Sequence, residues 1–189
     1  MSRRLLLVTS ASTRAQRDAR FTDDDTIEPP DQEDLARTRA TMVATVASPV
    51  ATHGTDRAAT GTALALGFDA DADPALGSWN LGSWAGRSVI EVAEADPTAF
   101  GAWRTDPAFA PPGGESLDAL LTRAHAWLAE AAKEDRPVVG VADVAIVRAI
   151  VTAALGAPAA MFWLLDPTPL SSTLLTNDGR MWRLRALGG

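Results

Sequence analysis

One stretch of the sequence decides the fold: residues 138–156 are VVGVADVAIVRAIVTAALG. The continuous apolar run from Val138 to Val141 is typical of a strand buried on both faces of a parallel sheet. Asp143 follows this run, and an apolar segment from Val144 to Leu155 then has the length of a helix that ends at Gly156. A strand, a polar turn and a helix in direct succession form the repeating unit of an α/β fold.

The same strand pattern occurs near the start of the chain, where Leu5 to Val8 precede Thr9, Ser10 and Ala11. Further strands are predicted at Met42 to Ala47, Ser172 to Thr176 and Met181 to Leu187. Helices are predicted at Leu35 to Thr41, from Ser48-Pro49 to Leu66, at Arg87 to Ala95 and at Leu117 to Ala131. This alternation predicts an α/β protein with one domain over residues 1–189, in which helices cover both faces of a mostly parallel sheet.

The composition excludes several classes of function. The chain has 189 residues, a formal net charge of −7, no Cys and two His. An acidic balance argues against nucleic acid or an anionic membrane as the main partner, because both require clustered Lys and Arg. Without Cys, disulfides, thiol nucleophiles, iron–sulfur clusters and Cys-based zinc sites are excluded. We therefore expect no metal and no cofactor.

The chain also carries no clear targeting or membrane signal. Arg3-Arg4 before the apolar Leu5 to Val8 imitates the start of a signal peptide, but the apolar run is too short. The apolar zone from Val138 to Leu165 is interrupted by Asp143, Arg148 and Gly156, so one uninterrupted helix could not cross a bilayer there. These observations predict a cytoplasmic protein.

Two polar turns follow predicted strands and are the first candidates for a ligand site. In open α/β sheets, ligands bind at the carboxyl ends of the strands. Thr9-Ser10-Ala11 and Ala142-Asp143-Val144 stand at two such ends. Asp143 also fits the N-cap of the following helix, and Ser10 also fits a turn-capping residue, so structural and functional roles remain open for both.

The order of several short segments resembles that of the histidine phosphatase (phosphoglycerate mutase-like) superfamily. The segments are Arg4 to Val8, Arg20-Phe21, Ser48-Pro49, Gly82-Ser83-Trp84-Ala85-Gly86, Phe100 to Trp103, Pro111 to Leu117, Val147-Arg148-Ala149 and Trp182-Arg183-Leu184. The string Pro-Gly-Gly-Glu-Ser-Leu within residues 112–117 is the most specific of them. The resemblance implies a three-layer α/β/α sandwich of the phosphoglycerate mutase type.

The resemblance also implies where the catalytic residues would stand, and in this chain each of those positions is changed. Ser10 occupies the place of the nucleophilic His, and Thr9 that of the Arg before it. Thr52, three residues after Ser48-Pro49, occupies the place of a second phosphate-binding Arg. Ser78 replaces the Glu that donates a proton, and Asp143 replaces the second His. Glu115 would lie at the mouth of the pocket.

These replacements remove both Arg and both His of the family's phosphate pocket and add the Asp143 carboxylate, which would repel a phosphate. We therefore expect a catalytically degenerate member, neither a phosphatase nor a mutase, that binds a neutral or cationic small molecule or a protein partner. Its ligand contacts would be Thr9, Ser10, Thr52, Ser78, Glu115 and Asp143. The alternative is an enzyme with phosphate-independent chemistry, a hydrolase, dehydratase or isomerase, in which Ser10, His53 and Asp143 act as nucleophile, base and orienting group.

Overall fold

The structure is a computed structural model that describes residues 3–67 and 69–188. Its strands are β1 (Arg3–Thr9), β2 (Val50–Gly54), β3 (Asp71–Asp73), β4 (Val138–Ala142), β5 (Ser172–Asn177) and β6 (Trp182–Ala186). Its α-helices are α1 (Arg14–Arg17), α2 (Gln32–Thr45), α3 (Arg57–Ala65), α4 (Val89–Ala95), α5 (Pro97–Thr105), α6 (Leu117–Ala131) and α7 (Val144–Ala154). Short 3₁₀ segments lie at Pro74–Leu76, Gly82–Trp84 and Ala159–Leu164.

The six strands form one sheet in the order β3-β2-β4-β1-β5-β6. β1 pairs in parallel with β4, and β2 pairs in parallel with β3 and β4, whereas β5 is antiparallel to both of its neighbours. The predicted α/β fold with a mostly parallel sheet is therefore confirmed. In the β1–β4 register Thr9 stands opposite Ala142, so the residues that follow these two strands emerge side by side.

The alternation of side chains along β1 explains why its sequence is continuously apolar. Leu5 and Leu7 pack into the hydrophobic cluster on one face of the sheet, and Leu6 and Val8 pack into the cluster on the other face. All four side chains are buried. Because successive residues of a strand point to opposite faces, a strand covered by helices on both sides has no position for a polar residue until it ends.

The predictions for residues 42–66 are wrong by one element. Met42 to Thr45 form the last turn of α2, β2 begins only at Val50, and α3 begins at Arg57. Leu35, Thr38 and Met42 are buried at helical spacing, which places this segment in a helix and not in a strand. The N-cap of α3 is Asp56, whose Oδ1 accepts a hydrogen bond from the Ala59 N–H at 2.9 Å. Ser48-Pro49 therefore precedes a strand and does not begin a helix.

An aromatic cluster closes one side of the fold. Trp103 on α5 lies 5.4 Å from Phe21, 5.4 Å from Trp79, 5.7 Å from Trp84 and 4.9 Å from Trp163, measured between ring centroids. These rings belong to segments far apart in the sequence, so the cluster fixes the loop that follows β3 against α5 and the 3₁₀ segment near residue 163. Within the described parts of the chain, no helix has the length and apolar character needed to cross a membrane.

Candidate functional site

The carboxyl ends of β1 and β4 bring Ser10 and Asp143 to the same small pocket. The Ser10 N–H donates to the Ala142 carbonyl at 2.8 Å, which continues the β1–β4 ladder by one residue. The residues that line the pocket are Ser10, Thr13, Gln16, Thr22, Asp24, Asp25, Asp56, Ala58, Ser78 and Asp143. The space in which the centre of a water molecule can move is about 10 Å³, so the pocket can hold about one water molecule.

Asp143 both caps α7 and faces this pocket. Its Oδ1 accepts a hydrogen bond from the Ile146 N–H at 2.9 Å, and the residue is 5% exposed. Burial raises the pKa of the Asp143 carboxyl above its usual value, and the neighbouring Asp56 charge adds to this effect. Hydrogen bonds from the Ile146 N–H and the Ser78 hydroxyl oppose the rise in the pKa without reversing it. Asp143 therefore holds a proton more readily than an exposed aspartate.

Three further carboxylates line the pocket, and sequence reasoning did not select any of them. Asp56 caps α3, and its second oxygen, Oδ2, is buried without a hydrogen-bond partner among the described residues. The loop with Asp24 and Asp25 is fixed beside it, because Asp24 Oδ1 accepts a hydrogen bond from the Arg57 N–H at 2.8 Å. The N-cap pattern at Asp56 could have been recognised, whereas nothing local in the sequence indicates that the acidic loop covers the site.

Among the residues that line this pocket, the Ser10 hydroxyl oxygen is also buried without a hydrogen-bond partner in the described part of the chain. Ser10 is 1% exposed, and both Ser10 and Asp56 line the pocket. Buried polar atoms are nearly always hydrogen-bonded in folded proteins. These two oxygens can therefore contact a water molecule or a polar ligand atom in the pocket.

A larger cleft of about 460 Å³ adjoins the pocket, and two arginines and the Asp166 carboxylate are among the residues that line it. Its walls include Thr9, Ser12 and Arg17 from the amino-terminal segment and Arg148 from α7, and Gln16 lines both the cleft and the pocket. Arg148 Nη2 contacts Asp166 at 2.8 Å, and Arg17 Nη1 contacts Glu28 at 2.7 Å. Arg148 Nε is buried and has no hydrogen-bond partner among the described residues.

The structure brings together some of the residues predicted from the sequence. Ser10, Ser78 and Asp143 line one pocket, and Thr9 lines the cleft next to it. Thr52 does not join them. It lies within β2, between Gly140 of β4 and Asp71 of β3, and lines a separate cleft with Trp127. The spacing from Ser48-Pro49 misplaces Thr52, because that dipeptide stands before β2.

His53 and Glu115 are also outside the pocket. His53 is a buried residue of β2, and its Nδ1 lies 2.7 Å from the Gly54 carbonyl oxygen. The Glu115 carboxylate binds Arg123, with Nη2 at 2.9 Å. The structure therefore does not assemble Ser10, His53 and Asp143 into one constellation, since His53 belongs to a strand and not to the first turn of a helix. Among residues 3–67 and 69–188, no group of three or more acidic or His side chains is arranged to hold a metal ion.

Comparison with known proteins shows relatives that are phosphatases by name. The chain is 37% identical over 145 residues to glucosyl-3-phosphoglycerate phosphatase of Mycolicibacterium vanbaalenii. This match covers 68% of the chain and 64% of the relative, so the chain spans less than two thirds of that protein's length.

Solved structures have the same fold. A mycobacterial glucosyl-3-phosphoglycerate phosphatase in complex with VO3 superimposes with a TM-score of 0.85 at 26% identity, over 99% of both chains. A protein described as mycobacterial hydrolase 1 superimposes with a TM-score of 0.87 at 25% identity, over 100% of this chain and 99% of the other.

These relatives overturn the prediction of a catalytically degenerate protein with a repurposed site that is neither a phosphatase nor a mutase. The electrostatic argument considered only the pocket around Asp143 and not the adjoining cleft with its two arginines. A model of the histidine phosphatase superfamily (branch 1) matches residues 55–188, a segment that includes Asp56, Ser78 and Asp143. The chain belongs to the histidine phosphatase superfamily.

Proposed function

We propose that the protein is a phosphatase that removes the phosphoryl group from a small phosphorylated compound. One observation carries the proposal: a relative 37% identical over 145 residues is named a glucosyl-3-phosphoglycerate phosphatase. That compound is accordingly the first substrate to test. The proposal also includes a single domain over residues 1–189 and a cytoplasmic location, both of which are predictions from the sequence.

The pocket and the cleft would hold different reactants in this reaction. The phosphate would occupy the cleft, where the guanidinium groups of Arg17 and Arg148 could donate hydrogen bonds to it in exchange for their carboxylate partners Glu28 and Asp166. The water-sized pocket next to it would hold the attacking water between Ser10 and Asp143. Gln16 lines both spaces, so the reacting water and the phosphorus atom would be neighbours.

The catalytic groups would differ from those that the family resemblance implies. Ser10 and Asp143 occupy the two positions where the resemblance implies His, and neither His53 nor His125 lines the pocket. We infer that Asp143 is the general base. The water oxygen attacks phosphorus while the Asp143 carboxylate accepts one of the water's protons, and the bond to the leaving oxygen breaks. The leaving oxygen, on the opposite side of phosphorus, takes a proton from solvent, and Asp143 then releases its own proton to solvent.

The raised pKa of Asp143 suits this role, because a stronger base accepts a proton from water more readily. As a base, Asp143 must be ionised, so the activity would fall as the pH drops through its raised pKa.

The test is phosphate release from glucosyl-3-phosphoglycerate and from p-nitrophenyl phosphate. We expect turnover by the unmodified protein, and Asp143→Asn should lower kcat by about 10²- to 10⁴-fold, the usual contribution of a general base. Arg148→Gln should raise KM, because it removes a phosphate-binding cation. Asp96→Asn is the matched control, since Asp96 caps α5 on the surface as Asp143 caps α7.

Two results would contradict the proposal. One is the absence of phosphate release from both substrates by the folded, unmodified protein. The other is equal activity in the unmodified protein and the Asp143→Asn and Arg148→Gln variants, which would mean that the activity comes from a contaminating phosphatase.

A further inference from the structure

We propose that the protein has a second anion-binding site, which takes a small molecule with two or more negative charges, such as one with a diphosphate group. The site is the arginine groove, an open groove of about 850 Å³ lined by Arg3, Arg4, Thr45, Ala47, Asp135, Pro137, Thr176 and Arg185. It lies at the amino ends of β1 and β4, whereas the candidate active site lies at their carboxyl ends. The proposal does not depend on phosphatase activity.

The sheet itself holds the three guanidinium groups around the groove. Arg3 and Arg4 are the first residues of β1, and Arg4 pairs with Thr176 of β5 in the strand register. Arg185 of β6 donates from Nε to Thr176 Oγ1 at 2.9 Å. Arg4 Nη1 donates to the Thr45 carbonyl at 2.9 Å, and Arg3 Nε donates to the Glu134 carbonyl at 3.1 Å. Each side chain is thus positioned by one hydrogen bond.

The charges of these arginines are poorly neutralised compared with those of other arginines in the molecule. Arg17 and Arg123, for example, contact carboxylate oxygens at 2.7 Å and 2.9 Å. Among the described residues, Arg4 and Arg185 bind only a carbonyl and a hydroxyl oxygen. The carboxylate near Arg3 belongs to Asp135, which is 4.0 Å away with its side chain fully exposed (100%), so it competes weakly with a ligand.

Three positive charges in one groove of a protein with a net charge of −7 favour a small anion. Each guanidinium carries five N–H donors, and the hydrogen bonds named above use one of them, so donors remain for phosphate oxygens. The volume falls in the range of sites for small ligands. A nucleic acid is disfavoured, because such partners commonly use about 6 to 10 phosphate contacts and the remaining surface is acidic.

The distance between the two sites makes their binding separable. β1 has seven residues, so at about 3.3 Å per residue the groove and the candidate active site are roughly 20 Å apart. A variant in the groove should therefore change anion binding without touching the pocket around Asp143.

The test is calorimetric titration with inorganic pyrophosphate at low ionic strength. We expect the double variant Arg4→Gln/Arg185→Gln to bind pyrophosphate at least tenfold more weakly than the unmodified protein. The matched control is Arg14→Gln/Arg37→Gln, which removes the same charge from two exposed arginines elsewhere and should bind as before. Asp135→Asn should tighten binding, because it removes the one carboxylate that borders the groove.

Three outcomes would overturn the proposal. Pyrophosphate could fail to bind the folded, unmodified protein at millimolar concentration. Both double variants could lose affinity equally, which would show a general effect of net charge. Binding could also be lost in Arg148→Gln and kept in Arg4→Gln/Arg185→Gln, which would show that the anion occupies the cleft beside Asp143 instead.

Discussion

At the scale of the residue, the carboxyl group of Asp143 has two opposite effects on the stability of the fold. As N-cap of α7 it stabilises the helix through the Ile146 N–H, and this contact does not require a negative charge. As a buried residue near Asp56 it is destabilised when it ionises, which is the origin of its raised pKa. The residue therefore stabilises the fold as a hydrogen-bond acceptor and destabilises it as a charge.

Asp143→Asn separates these two effects. Asn keeps an oxygen that can cap α7 and carries no charge, so we expect the variant to be more stable than the parent at neutral pH. A raised pKa means that the folded state holds the proton more tightly than the unfolded chain. The stability of the parent therefore falls as the pH rises above the ordinary value of 3.8, until the folded carboxyl is also ionised. Urea denaturation between pH 4.5 and 7.5 should show an advantage of the variant that grows with pH and then levels off.

A control for this prediction is Asp96→Asn, which changes an N-cap on the exposed surface. Its effect on stability should not grow with pH over the same interval. If Asp143→Asn were less stable than the parent by the same amount at every pH, the ionised Asp143 carboxylate would not destabilise the fold.

At the scale of the element, the junction between β2 and α3 positions Asp56 at the pocket. The strand ends at Gly54, and Asp56 caps the helix two residues later. This turn is tight: a Cβ atom at Gly54 would stand 2.5 Å from the Leu76 carbonyl oxygen and 2.6 Å from Asp56 Oδ2. The absence of a side chain at Gly54 therefore allows β2 to pass close to the segment that carries Ser78.

Gly54→Ala should be destabilised by about 1–3 kcal/mol, the usual cost of inserting an atom into a packed region. Gly101→Ala is the matched control, because Gly101 lies within α5 and a Cβ atom there meets nothing within 4 Å. In a helix this change should stabilise by about 0.5–1 kcal/mol. Urea denaturation of both variants measures the difference. If Gly54→Ala were as stable as Gly101→Ala, the junction between β2 and α3 would not be tightly packed at Gly54.

At the scale of the whole molecule, the aromatic cluster joins segments that the sheet does not hold. Trp103 touches rings from the segment before α2, from the loop after β3 and from the 3₁₀ segment near the end of the chain. The loop after β3 carries Ser78, which faces the pocket, and Trp79, which is in the cluster. The cluster therefore supports the site from one side.

Trp103→Ala should cost about 3–5 kcal/mol of folding free energy, as for other buried aromatic residues. Trp103→Phe should cost less, because it keeps most of the packing and removes an indole N–H that has no partner among the described residues. Leu164→Ala is a control, since that side chain is 75% exposed and its loss should change stability by less than about 0.5 kcal/mol. We expect the denaturation midpoint to be highest for Leu164→Ala, lower for Trp103→Phe and lowest for Trp103→Ala.

Local patterns predicted the elements with a continuous apolar run or a clear helical spacing of apolar residues. β1, β4, α6 and α7 lie within one or two residues of their predicted ranges, because continuous apolar runs and helical spacing follow directly from packing on a sheet. The segment from Met42 to Leu66 was mispredicted, since its polar α2 and short β2 have weak periodicity. Thr52 and His53, whose predicted roles rested on their distance from Ser48-Pro49, lie within β2 and do not line the pocket.

The α/β fold and the proximity of Ser10 and Asp143 follow from the apolar strands of the sequence, because parallel strands with buried faces must end at the same edge of the sheet. The rest of the site depends on tertiary packing. Asp56, the acidic loop at Asp24 and Asp25, and the arginines of the cleft come from elements that are distant in sequence. Their contacts depend on how loops and helices pack over the sheet edge, and this packing is set by long-range burial that no local pattern encodes.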